Sequence, residues 1–133
     1  KPMLWPDMVA SCGSPETGPD LINIYTLPSY LDPDAHLYNQ YHSGQWGSFN
    51  SCSFYKHAEV DAKLDKARVI GDMDQRLALY ADVQRQLAAD QPSVWMYTED
   101  SLMGFSQCVK GYLYSPMYPI TVLFQDLWME NCN

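Results

Sequence analysis

Between Ala58 and Pro92 the chain carries a sustained apolar period, and that period commits the segment to two consecutive helices. Val60, Leu64 and Ala67 fall at steps of four and three, one face of a helix. Gly71 stops the run, and Asp72 opens the next with Gln75 three residues on, as in a capping box. Met73, Leu77, Tyr80, Val83 and Leu87 form the apolar stripe of the second helix, while Arg76, Asp82, Arg85 and Gln86 take its wet side. Pro92 closes it, because proline cannot continue the hydrogen-bond ladder. Two stripes of this kind need a partner layer, and the flanking segments read as sheet and loop.

The supply of aliphatic residues limits that layer. Leu, Ile, Val and Phe total 28 of 133 residues, near the ~20% level below which chains tend to disorder. Ten Tyr, seven Met and four Trp make up the deficit, with large buried areas and polar tips that need partners. The length fits one domain or a piece of something larger. The net charge of −8 repels phosphate, which makes nucleic acid and anionic lipid headgroups poor partners. No apolar run approaches the ~18–20 residues of a membrane span. Lys1-Pro2 opens without an initiator Met, as expected of a processed or truncated chain. Cys12, Cys52, Cys108 and Cys132 form no CxxC pair, allow three pairings, and predict an oxidising compartment with at least one bridge.

Outside the helical pair the signals are shorter. Residues 1–20 are rich in Pro, Gly and Ser, with room for a short helix between Pro6 and Gly13. The run from Leu21 to Leu27, stopped by Pro28, reads as a buried strand. Asp32-Pro33-Asp34 is a helix opening, and Leu37, Tyr38 and Tyr41 give that helix an apolar side before it stops at Ser43-Gly44. Residues 45–54 have no period and read as a loop carrying Trp46, Phe49 and Phe54. Residues 94–97 and 102–105 read as strands around a Glu99-Asp100 turn, with a further strand from Val109 to Tyr114 and an apolar tail from Ile120 to Phe124.

Chemistry is harder to find. His36, His42, Cys52 and His57 are clustered ligand types, but their gaps match no zinc pattern and they read as surface or turn residues. Asp32, Asp34, Asp72 and Asp74 stand at helix starts, where capping accounts for them. The chain contains no GxSxG, no HExxH and no glycine-rich phosphate loop. We therefore assign no catalytic residue, no metal site and no cofactor, and expect a protein that is not an enzyme. Tyr25, Tyr30, Trp46 and Phe49 gather around a strand end and a loop, where aromatics either line a ligand cleft or pack a core short of aliphatics.

Taken as one string, residues 25–114 resemble a known family. Tyr30-Leu31-Asp32-Pro33-Asp34 is followed by Asn50, Tyr55, His57-Ala58-Glu59-Val60-Asp61 and Ala67-Arg68. Next come Asp72, Arg76, Tyr80 and Gln84 at steps of four, then Pro92 before Val94-Trp95-Met96-Tyr97, and Val109-Lys110-Gly111-Tyr112. This order is similar to the C-terminal part of the solute-binding proteins of peptide- and nickel-type (family 5) ABC importers.

The resemblance implies an α/β fold: the C-terminal fragment of a two-lobed periplasmic-binding-protein-like fold (type II), with helices packed on a mixed sheet. Residues 1–100 would end the second ligand-binding lobe, and residues 101–133 would cross the hinge and return to the first. It also implies capture of a small peptide-like or other polar solute, on the periplasmic or extracellular face of the cell membrane. The implied partners are that ligand, a membrane permease and the missing N-terminal part of the same protein. Ligand-facing residues would be Tyr25, Thr26, Ser29, Tyr30 and Trp46. In peptide-binding members an Asp stands three positions before the Asp-Pro turn and a Trp three before that Asp; here the positions hold Ser29 and Thr26. That departure implies neutral or hydroxyl-rich ligands rather than ordinary dipeptides. Strand edges within 93–114 would be exposed and would favour self-association of the isolated chain. The rival from another class is a free-standing secreted carbohydrate-binding module stacking sugars on Trp46, Tyr25 and Tyr30, with a cytosolic Cys/His enzyme as the third reading.

Overall fold

A computed structural model describes residues 3–98, 100, 102–115 and 122–132. They fall into two compact units, Lys1–Val94 and Trp95–Asn133. The first holds helices α1 (Trp5–Ser11), α2 (Asp34–Tyr41), α3 (Ala58–Val69) and α4 (Met73–Asp90), with short 3-10 turns at Ser43–Gln45 and Phe49–Ser51. Its core is helix on helix: α3 packs along α4 and against α2. Leu37 and Tyr41 of α2, Val60, Leu64 and Ala67 of α3, and Tyr80, Val83 and Leu87 of α4 are all buried together.

The caps follow the sequence signals. The Asp72 carboxylate accepts the Gln75 N–H at 2.9 Å, satisfying a donor that the first turn of α4 would leave open. At the other end Gln91 adopts a left-handed φ of 49°, its N–H bonds the Leu87 carbonyl, and Pro92 follows. Pro6 sits in the first turn of α1. Pro33 has a helical φ of −54°, and the carboxylate of Asp32 accepts the Asp34 N–H at 2.9 Å.

The stripe of α4 is only partly covered. Tyr80, Val83 and Leu87 are buried as expected, but Met73 and Leu77 remain 57% and 45% exposed. The core they would join ends one turn short of them. The expected strand at 21–27 forms no ladder. Its side chains nevertheless alternate, with Ile22, Ile24 and Thr26 half-buried and Leu21, Asn23 and Tyr25 exposed, the two-residue period of a strand. Leu21 is 93% exposed, because a strand buries its second face only when another layer lies over it. The described residues supply no such layer, and the helices of this unit pack on each other rather than on a sheet.

The second unit holds the ladder seen among the described residues, β1 (Val109–Lys110) antiparallel to β2 (Trp128–Met129), with Val109 opposite Met129 and Lys110 opposite Trp128. A 3-10 turn at Phe124–Asp126 precedes β2. The expected strand from Val109 to Tyr114 is thus present as two residues. Gly111 limits it: at φ 83° a Cβ there would stand 2.1 Å from the Asp126 carbonyl oxygen. The expected strands at 94–97 and 102–105 carry no ladder, and Val94 and Leu102 are 86% and 91% exposed. Glu99 of the expected turn, Ile120 and Thr121 of the expected tail run, and Lys1-Pro2 lie outside the described residues.

Disulfides join Cys12 to Cys52 and Cys108 to Cys132, 40 and 24 residues apart. The first has a clear task. No residue of α1 is buried, and its Trp5 meets Phe49 only edge-on, whereas Cys12 is fully buried beside its partner. Closing a loop of this length stabilises a fold by about 2–4 kcal/mol. Cys12→Ser is therefore expected to leave the α3–α4 core folded while limited proteolysis cuts first within residues 3–20. Loss of all helical circular dichroism on that substitution would contradict the assignment.

Candidate functional site

Two carboxylates at the start of α2 each meet an arginine from the helical pair. Arg76 of α4 donates to both oxygens of Asp32, at 2.6 and 2.7 Å. The same guanidinium donates to the Ala67 carbonyl of α3 and to the Tyr80 hydroxyl, both at 3.0 Å. A planar guanidinium suits such a set, because its five N–H donors lie in a fixed fork. Alongside, Arg68 of α3 pairs with Asp34 at 3.2 Å and lies over the Tyr38 ring at 3.8 Å. The Tyr30 hydroxyl donates to the other oxygen of Asp34.

These contacts set the protonation states. Burial alone would push the Asp32 carboxyl up, but the Arg76 hydrogen bonds, the Asp34 N–H and the Arg76 charge outweigh it and hold the group below the usual range. Burial raises the Tyr30 phenol, and its bond to Asp34 raises it further. Burial pushes His36 down, which favours the neutral ring. Gln40 stands 3.1 Å from His36 Nδ1 and donates to Thr26 Oγ1 at 3.1 Å, linking α2 to the run before it. A shallow hollow lies in front of these groups, lined by Pro28, Tyr30, Leu31, Asp32, Pro33 and His36.

The expected ligand residues divide by side. Tyr25 and Ser29 point outward and are exposed, whereas Thr26 and Tyr30 are half-buried and hydrogen-bonded to α2. The two-residue period makes this division unavoidable, since neighbours along an extended run face opposite ways. Trp46 stands on a different loop, donates its indole N–H to the Tyr55 carbonyl at 2.9 Å, and meets Phe54 edge-on. Sequence reasoning set His36 aside as a surface or turn residue and did not foresee Gln40 or the Arg68–Asp34 pairing. The i, i+4 spacing of His36 and Gln40 was the available signal. Among the described residues no three His, Cys, Asp or Glu side chains converge as metal ligands, and no helix is long and apolar enough to cross a membrane.

Comparison with known proteins gives partial similarity to binding proteins. The chain is 28% identical over 90 residues, 68% of its length, to the probable D,D-dipeptide-binding periplasmic protein DdpA of Escherichia coli (strain K12). It is 30% identical over 79 residues, 59% of its length, to the oligopeptide-binding protein AppA of Bacillus subtilis (strain 168). A 65-residue stretch, 48% of the chain, is 40% identical to protein XP55 of Streptomyces lividans. The matched regions span 17%, 14% and 12% of those relatives, so the chain corresponds to a small part of each. No protein-family profile matches the chain, and no solved structure does.

The depressed Asp32 carboxyl predicts an acid dependence with a definite sign. Its contribution is complete above the unfolded carboxyl value of about 3.9 and is lost as pH falls through the lower folded value. Denaturant titrations between about pH 5 and pH 2 are expected to show stability falling with pH, and Asp32→Asn is expected to be less stable at the upper end and to show a shallower fall. Equal slopes for the two proteins would remove Asp32 from the account.

Proposed function

We propose that the chain is part of an extracytoplasmic solute-binding protein of the ABC-importer type, which captures a small peptide-like or other polar solute and delivers it to a membrane permease. One observation carries the reading. Asp32 of the Asp-Pro turn and Arg76 and Tyr80 of the four-step helix motif belong to separate parts of the resemblance, yet they meet in one hydrogen-bonded group. The partial similarity to proteins named for dipeptide and oligopeptide binding supports the same reading. Two disulfides fit an oxidising location outside the cytoplasm.

On this reading the whole protein is α/β and two-lobed. Residues 1–100 end the second lobe, residues 101–133 cross the hinge, and the strand-like run 21–31 receives its covering layer from the remainder. Binding proceeds without covalent chemistry. A solute favours the closed lobes only by the contacts it gains there, and closure signals to the permease. A carbohydrate-binding module fits less well, because such modules are usually all-β and the first unit holds four α-helices.

Ligand choice follows from Ser29. Its hydroxyl brings no charge to balance a buried ammonium, and an unpaired desolvated ammonium costs several kcal/mol, about a thousandfold in affinity. Blocked peptides and neutral, hydroxyl-rich solutes are therefore the expected ligands. Calorimetry on the full-length protein is expected to give binding that survives N-acetylation of a peptide. Micromolar binding of unmodified di- or tripeptides, abolished by acetylation, would overturn the ligand assignment. Absence of binding to any blocked peptide or neutral oligosaccharide would overturn the solute-binding reading.

A further inference from the structure

The turn that carries Trp46 rests on one imidazole. His42 follows the last residue of α2, its side chain is 12% exposed, and its ring stacks on Tyr38 with centroids 4.3 Å apart. Its Nδ1 stands 2.9 Å from the backbone nitrogen of Gly44. A backbone N–H can only donate, so Nδ1 accepts and the ring hydrogen resides on Nε2. That Nε2 is buried and faces Asp65 of α3 at 3.3 Å. The next residue is tied to the same helix: Ser43 donates its N–H and its hydroxyl to Asp61, at 3.0 and 2.6 Å. Asp61 and Asp65 lie one helical turn apart, so α3 presents both carboxylates to this corner. A Cβ on Gly44 would come 3.0 Å from His42 Nδ1, so a side chain there would press the ring by a few tenths of an ångström.

The 3-10 turn Ser43–Gln45 starts from this corner and ends at Trp46. Because the Trp46 indole N–H is already donated to Tyr55, the side chain has no hydrogen-bond donor left to offer. The residue is 38% exposed, and with its N–H taken the side chain offers only ring surface. Such a surface takes an apolar or flat group by stacking and does not discriminate by polar contacts.

We propose that His42, held as the Nε2–H tautomer, is the positioning residue that presents the Trp46 ring as a stacking face for an apolar or aromatic side chain of the bound solute. The inference rests on the solute-binding reading and adds to it both a residue and a ligand class.

Nuclear magnetic resonance on the full chain tests both halves. The wild type is expected to show an unprotonated His42 Nδ1 and a scalar coupling across the Gly44 N–H···Nδ1 bond. His42→Phe keeps a ring on Tyr38 but removes the acceptor. It is expected to speed exchange of the Gly44 amide and the Trp46 indole proton about tenfold, with Val83 and Leu87 amides unchanged. His42→Asn restores an acceptor and is expected to stay within about threefold of wild type. A protonated Nδ1, or a Trp46 indole indifferent to His42→Phe, overturns the positioning role; if His42→Phe does not fold, the tautomer and His42→Asn still decide. For the ligand half, acetylated and amidated Ala-Phe-Ala is expected to shift the Trp46 signal, and acetylated and amidated Ala-Ser-Ala is not. Heat of binding without any Trp46 response overturns the stacking face, whereas no binding of either peptide counts against the solute-binding reading itself.

Discussion

The guanidinium of Arg76 reaches the Asp32 carboxylate, the Ala67 carbonyl and the Tyr80 hydroxyl, all within 3.0 Å. Those partners belong to the turn before α2, the last turns of α3 and the body of α4. Burying a charge is costly unless it is paired and hydrogen-bonded, and here each side of the pair is satisfied from more than one direction. The same carboxylate caps α2 through the Asp34 N–H. Asp32 therefore closes a chain of dependence. Without it the Asp34 N–H at the start of α2 loses its acceptor and Arg76 loses its counter-charge.

The candidate site is fastened by contacts that stand beside that joint. Tyr30 is held by Asp34, and Asp34 by Arg68, while Thr26 is held by Gln40. The inward half of the run 21–31 is thus fastened to α2, and its outward half, with Tyr25 and Ser29, is left uncovered. Trp46 has a separate support, its indole N–H donated to the Tyr55 carbonyl, and the turn before it is tied to Asp61 through Ser43 and to His42 through Gly44. A scaffold of this kind fixes the inward face of the run on rigid elements and leaves the other face uncovered.

Sequence alone was most informative where structure is local. Residues 58–69 and 73–90 declare themselves by period, by the Asp72 cap and by Pro92, and they form those helices. Residues 21–27, 94–97 and 102–105 show strand composition, but pairing depends on a partner that composition does not name. Met73 and Leu77 match the stripe of α4, yet a period says which side faces inward and not how far the core extends. Asp32 was legible as a cap. Its pairing with Arg76 spans 44 residues and has no local signal. His42 reads as a turn histidine from sequence, and only the fold shows it stacked on Tyr38 and bonded to Gly44.

The claim that this joint organises the helices is open to a double-mutant cycle on Asp32 and Arg76, with Asp32→Asn and Arg76→Met measured singly and together by equilibrium denaturation. The side chains of the pair are 22% and 18% exposed, between the surface and buried extremes. A coupling of about 2 kcal/mol is expected, above the ~1 kcal/mol limit of exposed pairs and below the ~3–5 kcal/mol cost of breaking fully buried ones. Additive single effects, with coupling indistinguishable from zero, would show that the helices find their arrangement without it.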